Sequence, residues 1–227
     1  MIPVDLVVFD HDGTLVNSLP VVVEASNEVM AAFGCERKPA AEIVAGMVHP
    51  TAPRLGLLAG TADLGIQQKM ARLYGKLAIR FSGSAKLYPG IEVLLKDLKG
   101  LGLPLAVLSN SEGLFVRTIL ERLEVARYFF SLTGEEDMPA PKPDPRGLHR
   151  ILELAGCGQQ RAVYVGDSRT DLETARAAGL KAIGVTWGAH PRVELEALGF
   201  AALVDEPAQL FALLKDSCHI PRTGGHA

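Results

Sequence analysis

Two carboxylates two residues apart, Asp10 and Asp12, close the apolar run at residues 4–9 and stand directly before Gly13 and Thr14. In an open parallel sheet, ligands and reactive groups gather at the carboxyl ends of the strands. A β-rich run ending in Asp-x-Asp-Gly-Thr therefore reads as a strand delivering acids into a site. Asp and Gly are also ordinary turn residues, so a polar turn is the competing reading.

Three further groups of residues have chemistry to offer. Ser109-Asn110-Ser111 follows the apolar run 103–108. Ser109 could donate to a phosphate oxygen and Asn110 could orient a ligand, although Ser-Asn also starts turns. Lys142 sits in Pro139-Ala140-Pro141-Lys142-Pro143-Asp144-Pro145, where four prolines stiffen the backbone around one ammonium. A solvated loop lysine is the alternative. Gly166-Asp167-Ser168-Arg169-Thr170-Asp171 follows the run 162–165, so Asp167 ends a strand as Asp10 does. Asp171 lies four residues on, about one helical turn, and both acids could face one opening. Asp171 also suits a helix N-cap or first turn, and Arg169 suits either a ligand contact or a helix surface.

The elements that must position these residues alternate in style. Runs at 4–9, 103–108, 129–132, 162–165, 182–185 and 201–204 are short and bounded by Gly, Pro or polar residues, as strands buried on both faces are. Helical periodicity lies between most of them, at 91–98, 114–123, 145–155 and 171–178. That alternation predicts an α/β fold with a parallel sheet covered on both sides. Residues 18–86 break the rhythm, with helices expected at 20–33, 40–48, 52–58 and 66–81 and no convincing strand. The expected organisation is a core of residues 1–17 and 87–216, a small helical domain over 18–86, and a loosely held tail from 217 to 227.

Composition narrows the function classes. With 48% hydrophobic and 22% charged residues the chain is a globular one with a sizeable core. A net charge of -3 gives no basic footprint for nucleic acid, and no run approaches a membrane span. Cys35, Cys157 and Cys218 are odd in number and lack zinc-ligand spacing, which suggests free thiols, most simply buried small hydrophobes, in a reducing compartment. The start Met-Ile-Pro-Val-Asp has no basic region leading into a signal core, so the cytoplasm is the expected location.

Taken in order, the four signals resemble the motifs of the haloacid dehalogenase-like (HAD) hydrolase superfamily. Phe9-Asp10-His11-Asp12-Gly13-Thr14-Leu15-Val16 is similar to its first motif, Ser109-Asn110 to the second, Lys142 to the third and Gly166-Asp167-Ser168-Arg169-Thr170-Asp171 to the fourth. The helical insertion falls where the family's type 1 cap falls. Two positions depart from the pattern: His11 stands where an apolar residue is usual, and Asn17 where an Asp often follows the Leu-Val pair. His11 could point outward, bond locally, or touch substrate and influence pH dependence. Thr186-Trp187-Gly188 resembles a segment of phosphoglycolate phosphatase-like members, with Trp187 either packing at the site rim or touching ligand.

The resemblance implies a Rossmann-like doubly wound core and a Mg²⁺-dependent phosphatase acting on a small phosphorylated metabolite. Asp10 would attack phosphorus to give an aspartyl-phosphate. Asp12 would be general acid and then general base, protonated at the first step through a raised pKa. Mg²⁺ would take Asp10, Asp167 and the backbone carbonyl of Asp12, with Asp171 nearby or acting through water. Lys142 would balance the charge, Ser109 and backbone amides near Asp12 and Gly13 would hold phosphoryl oxygens, Asn110 would orient the ligand, and Thr14 would fix the loop or the nucleophile. Haloacid dehalogenases lack an acid at the position of Asp12, so its presence implies phosphoryl transfer. Within the insertion His49, Thr51 and Arg54 could bind an anionic or hydroxylated leaving group, or belong to a surface loop. A β-phosphoglucomutase-like phosphotransferase is the alternative enzyme, and a catalytically silent binding protein the distant one. A monomer or homodimer is expected, without nucleic-acid or membrane partners.

Overall fold

The computed structural model describes residues 4–217. Eight strands and ten α-helices follow in chain order: β1 Leu6–Phe9, β2 Val16–Asn17, α1 Leu19–Ala32, α2 Ala40–Ala45, α3 Thr51–Ala59, α4 Leu64–Phe81, β3 Lys86–Leu87, α5 Ile91–Gly100, β4 Leu105–Leu108, α6 Gly113–Arg122, β5 Ser131–Thr133, α7 Arg146–Ala155, β6 Ala162–Gly166, α8 Arg169–Ala177, β7 Lys181–Val185, α9 Arg192–Leu198, β8 Ala202–Val204 and α10 Pro207–Lys215. Six strands make one sheet in the order β5-β4-β1-β6-β7-β8, every neighbouring pair parallel.

Side-chain alternation explains why both faces of this sheet are covered. Val7 and Phe9 of β1, Leu105 and Val107 of β4, and Val163 and Val165 of β6 enter one core with the apolar stripes of α5, α6 and α10. Leu6, Val8, Ala106, Leu108, Ala162 and Tyr164 point the other way and pack on α7 and α8. Parallel strands buried on both faces need continuous apolar runs, which is what the sequence supplies. Phe9 is level with Val107 on one side and Val165 on the other. The residues that follow, Asp10, Ser109 and Asp167, therefore emerge from three adjacent strands at the carboxyl end of the sheet.

The insertion forms α1 to α4. Asp63 caps α4, its Oδ1 accepting from the amide of Ile66 at 2.9 Å. Val21, Ala25 and Met30 of α1, Ile43 of α2, Leu55 of α3 and Met70 of α4 are buried in a core continuous with the first sheet face. Where the insertion leaves and rejoins the sheet, β2 and β3 pair antiparallel, Val16 with Leu87 and Asn17 with Lys86. The amide of Tyr88 donates to the carbonyl of Leu15 at 3.1 Å.

Several sequence expectations change in detail. The helix expected over 40–48 stops at Ala45 and becomes a 3-10 turn at Gly46–Val48, because glycine is a poor α-helix residue. The β2/β3 ribbon lies in a region where no strand is expected; two-residue strands carry no periodicity to read. Cys35 and Cys157 are free but only half-buried, so neither is a core residue, and Cys218 lies outside the described residues. The tail expected from 217 falls almost wholly outside them too; Ser217 itself is tied down, accepting from the amide of Val4 at 2.9 Å. No helix among the described residues is long and apolar enough to cross a membrane.

Candidate active site

A cleft enclosing about 750 Å³ of empty space, part of it open to solvent, lies above the strand ends. Asp10, Asp12, Gly13, Ser109, Asn110, Lys142 and Asp167 line it from the sheet side, and His49, Thr51 and Arg54 from the insertion. Asp10, Ser109 and Asp167 are far apart in sequence and are gathered by the parallel register of β4, β1 and β6. Three residues with expected roles, Thr14, Arg169 and the fully buried Asp171, do not line the cleft. Thr14 is buried below it with an unpartnered Oγ1, and its carbonyl accepts from Trp187 Nε1 at 2.9 Å. Arg169 is exposed on α8, 3.9 Å from Glu173, as a helix-surface charge is.

Lys142 organises the floor. Its ammonium donates to Asp10 Oδ1 at 2.7 Å, Asp171 Oδ1 at 2.7 Å and the Tyr164 hydroxyl at 3.0 Å, which uses all three N–H bonds. Burial works against this charge, but Asp10 and Asp171 outweigh it and hold the lysine pKa well above its ordinary value. Asp10 moves upward as well. Burial is the main cause, opposed by Lys142 and reinforced by Asp171, Asp12 and Asp167. Asp10 is thus gripped through one oxygen while its other faces a crowd of acids.

Asp12 behaves contrary to the expected raised pKa. Burial pushes it up, but the His11 imidazole and hydrogen bonds from Ser18 and Ser111 prevail, so it lies well below the usual carboxylate range. His11 Nδ1 is 3.1 Å from Asp12 Oδ1, the Ser18 hydroxyl donates to that same oxygen, and Ser111 Oγ donates to Oδ2 at 2.7 Å. Ser109 Oγ also reaches Oδ2, at 3.3 Å. His11 is fully buried, edge-on to Phe115 at 5.9 Å between ring centres, with Nε2 unpartnered. It does not point outward.

Two phosphate-binding expectations also shift. Asn110 lines the cleft, but its carboxamide clamps the Lys142 backbone, donating to the carbonyl at 3.1 Å and accepting from the amide at 2.7 Å. The Gly13 amide donates to Val16 at 3.0 Å, whereas Asp12 has an amide that bonds to no protein acceptor among the described residues. Gly13 serves another purpose. It has φ of +81°, and a Cβ there would come 2.3 Å from Asp167 Oδ2, so only glycine lets the loop pass the second acid.

Asp10, Asp167 and Asp171 offer carboxylate oxygens within 4.8 Å of one another. The oxygens of Asp171 are already taken. Oδ2 accepts from the Ser168 amide at 3.1 Å and hydroxyl at 2.6 Å in a capping box on α8, while Oδ1 takes Lys142 and lies 3.2 Å from Tyr164. Asp167 Oδ2 accepts from the Ala189 amide at 2.7 Å and has His190 Nδ1 at 3.7 Å, leaving Oδ1 open. Burial, with Asp171, raises Asp167; its contact with Asp167 raises His190. Among the described residues the Asp12 carbonyl accepts no backbone bond; the Leu15 and Val16 amides both donate to the His11 carbonyl. One free oxygen each on Asp10 and Asp167, with that carbonyl, is the hard donor set a small divalent cation takes, and the raised acids need positive charge. The residues fit Mg²⁺.

Sequence reasoning missed Ser18, Ser111, Tyr164 and His190. Ser111 could have been found, because it lies two residues beyond Ser109 on the same turn. Tyr164 sits in an apolar strand whose pattern explains it fully, and Ser18 and His190 have no local signal.

The haloacid dehalogenase-like hydrolase family model matches residues 7–185. A phosphoglycolate phosphatase from Rhodospirillum rubrum is 32% identical over 228 residues, covering 96% of this chain and 92% of its own. Phosphoglycolate phosphatase 1 from Pseudomonas aeruginosa is 35% identical over 191 residues, 81% of this chain and 70% of its own. A haloacid dehalogenase-like family protein from Streptococcus pneumoniae has the same fold, with a TM-score of 0.82 over 92% of this chain and 98% of its own at 22% identity. The chain belongs to the haloacid dehalogenase-like hydrolases and is a phosphoric monoester hydrolase among relatives named phosphoglycolate phosphatases.

Proposed function

We propose that this protein is a Mg²⁺-dependent phosphatase that hydrolyses a small phosphorylated metabolite through an aspartyl-phosphate on Asp10. The observation that carries the reading is Asp10 itself, held by Lys142 at 2.7 Å through Oδ1, with Asp12 and Asp167 beside it on the same cleft. Carboxylates that attack phosphorus need a fixed in-line orientation, and a buried ammonium at one oxygen supplies it. Mg²⁺, held by Asp10, Asp167 and the Asp12 carbonyl, would neutralise the phosphoryl oxygens and polarise them.

The chain's own residues do the rest. The Asp12 amide and Ser109 hydroxyl would hold phosphoryl oxygens. Asp12 protonates the leaving oxygen and then takes a proton from the hydrolytic water. Because Ser18, Ser111 and His11 keep it ionised in this arrangement, its protonation requires release from those partners beside a phosphate dianion. Residues 18–86 would act as the cap that excludes water during the first half-reaction, with His49, Thr51 and Arg54 facing the leaving group. Asn110, Asp171 and Thr14 act on the loops that hold the site rather than on phosphate or metal. The relatives' name points to a small phosphorylated acid as substrate, and the cytoplasm fits a metabolite phosphatase of this kind.

The test is phosphate release from a panel of metabolite phosphates with Mg²⁺, alongside conversion of one sugar phosphate to its isomer. Phosphate release is expected. Asp10→Asn should lower turnover by about 1,000-fold or more and leave no trappable acyl-phosphate. Full activity in that variant removes the nucleophile assignment, and isomer formation without net phosphate release would make the protein a mutase.

A further inference from the structure

Residues 186–190, between β7 and α9, belong to none of the four motifs, yet three of them meet at Asp167. The Ala189 amide donates to Asp167 Oδ2 at 2.7 Å. His190 Nδ1, buried and without a hydrogen-bond partner, stands 3.7 Å from the same oxygen. Gly188 lies against it as well: a Cβ there would come 2.3 Å from Oδ2 and 2.5 Å from the Gly13 carbonyl oxygen.

The segment is anchored on both sides. Trp187 ties it to the loop after β1, its Nε1 donating to the Thr14 carbonyl at 2.9 Å while the ring packs against the core on the first sheet face. Trp187 does not line the cleft. Towards β8, the Thr186 amide donates to the Val204 carbonyl at 3.1 Å and its hydroxyl to Asp205 Oδ1 at 2.6 Å, and Arg192 pairs with that same carboxylate.

An aspartate carboxylate turns readily about its last bond, so one that must give a cation a particular oxygen needs its other oxygen fixed. Lys142 does this for Asp10, but its three N–H bonds go elsewhere than Asp167. Among the described residues the hydrogen bond to Asp167 comes from Ala189 alone. The Asp12 carbonyl and Asp167 stand on loops that follow different strands, and Trp187 with Gly188 spans the gap between those loops. We infer that residues 186–190 are a clamp that positions Asp167 for the cation: Ala189 and His190 hold Oδ2, which turns Oδ1 to the metal, and Trp187, through Thr14, fixes the spacing between Asp167 and the Asp12 carbonyl. Trp187 and His190 are thus positioning residues that act through Asp167. This rests on the Mg²⁺ reading and adds to it the element that sets how tightly the cation is held.

The melting temperature of the full chain against Mg²⁺ concentration, without substrate, gives the Mg²⁺ Kd of each variant. A rise with Mg²⁺ in the wild type tests the metal reading; its absence removes that reading and this inference with it. The ratio of variant to wild-type Kd tests the clamp. Kd should rise about 10-fold or more in Trp187→Phe, which keeps an aromatic ring and loses the N–H, and likewise in His190→Ala. His190→Asn, which returns an N–H near the place of Nδ1, should recover most of that loss. A residue that only packs would lower the melting temperature of the metal-free protein and leave Kd unaltered. An unaltered Kd in either Trp187→Phe or His190→Ala therefore overturns the inference. If Trp187→Phe does not fold, the half-buried His190 carries the test alone.

Discussion

Lys142 shows how one side chain can be both structural and chemical. Its ammonium lies 132 positions along the chain from Asp10 and is held by two carboxylates and a phenol. Lys142→Met removes the charge and leaves Asp10 and Asp171 facing each other in a buried space, so we expect a loss of about 3–5 kcal/mol of stability together with turnover. Urea unfolding of the metal-free variant checks this, and a change below about 1 kcal/mol would show that the triad is not a stabilising unit. At this scale the residue types were legible from sequence. Asp10, Lys142 and Asp167 could be picked out because acids at strand ends and an ammonium in a proline-stiffened loop follow one another in the order of the family's motifs, although each alone also fits a turn or a solvated loop. The direction of Asp12 was not legible, since it depends on Ser18, Ser111 and His11, which meet only at its carboxylate.

At the scale of elements, the loop after β1 is the critical piece. Gly13 turns the chain at φ of +81° while Asp167, from the loop after β6, fills the space where a side chain would be. Gly13→Ala should cost about 1–2 kcal/mol from the backbone alone, and should also displace Asp167. A weakened Mg²⁺ requirement curve, with half-maximal activity at higher metal concentration, is the expected signature. Unaltered metal dependence would show that the loop can give way without disturbing Asp167. The helical insertion was readable as helices because apolar residues recur at helical spacing in 20–33 and 66–81. Its two-residue ribbon, β2 with β3, was not, because so short a pair has neither period nor composition to mark it.

For the whole molecule, charge links folding to metal. Burial, with neighbouring acids, raises Asp10 and Asp167 in the folded state. An acid raised on folding binds its proton more tightly when folded, so these two destabilise the metal-free protein as pH rises through the carboxylate range. Asp12, lowered on folding, has the opposite sign: its contribution is present above the unfolded pKa and is lost as pH falls. Mg²⁺ should therefore raise the melting temperature at about pH 7, with an increment that shrinks towards about pH 4, where the acids are protonated. A concentration of about 100 times Kd corresponds to roughly 2.7 kcal/mol. Thermal melts with Mg²⁺ and with chelator at both pH values decide it; superimposable curves at neutral pH would mean that no cation binds here.

The sequence by itself determined the doubly wound sheet and the acids at the carboxyl ends of its strands. Strands buried on both faces demand unbroken apolar runs, and polar groups can follow only where those runs end, so fold and site are written into the same local pattern. Tertiary structure alone decided what each polar group is bonded to: Asn110 to the Lys142 backbone, Asp171 to the α8 cap and Lys142, Trp187 to Thr14, and Arg54 to no protein acceptor through its buried Nε and Nη2. Those pairings join residues three to 173 positions apart, most of them distant. Their geometry is set by the register of packed strands and helices, and no periodicity along the chain records it.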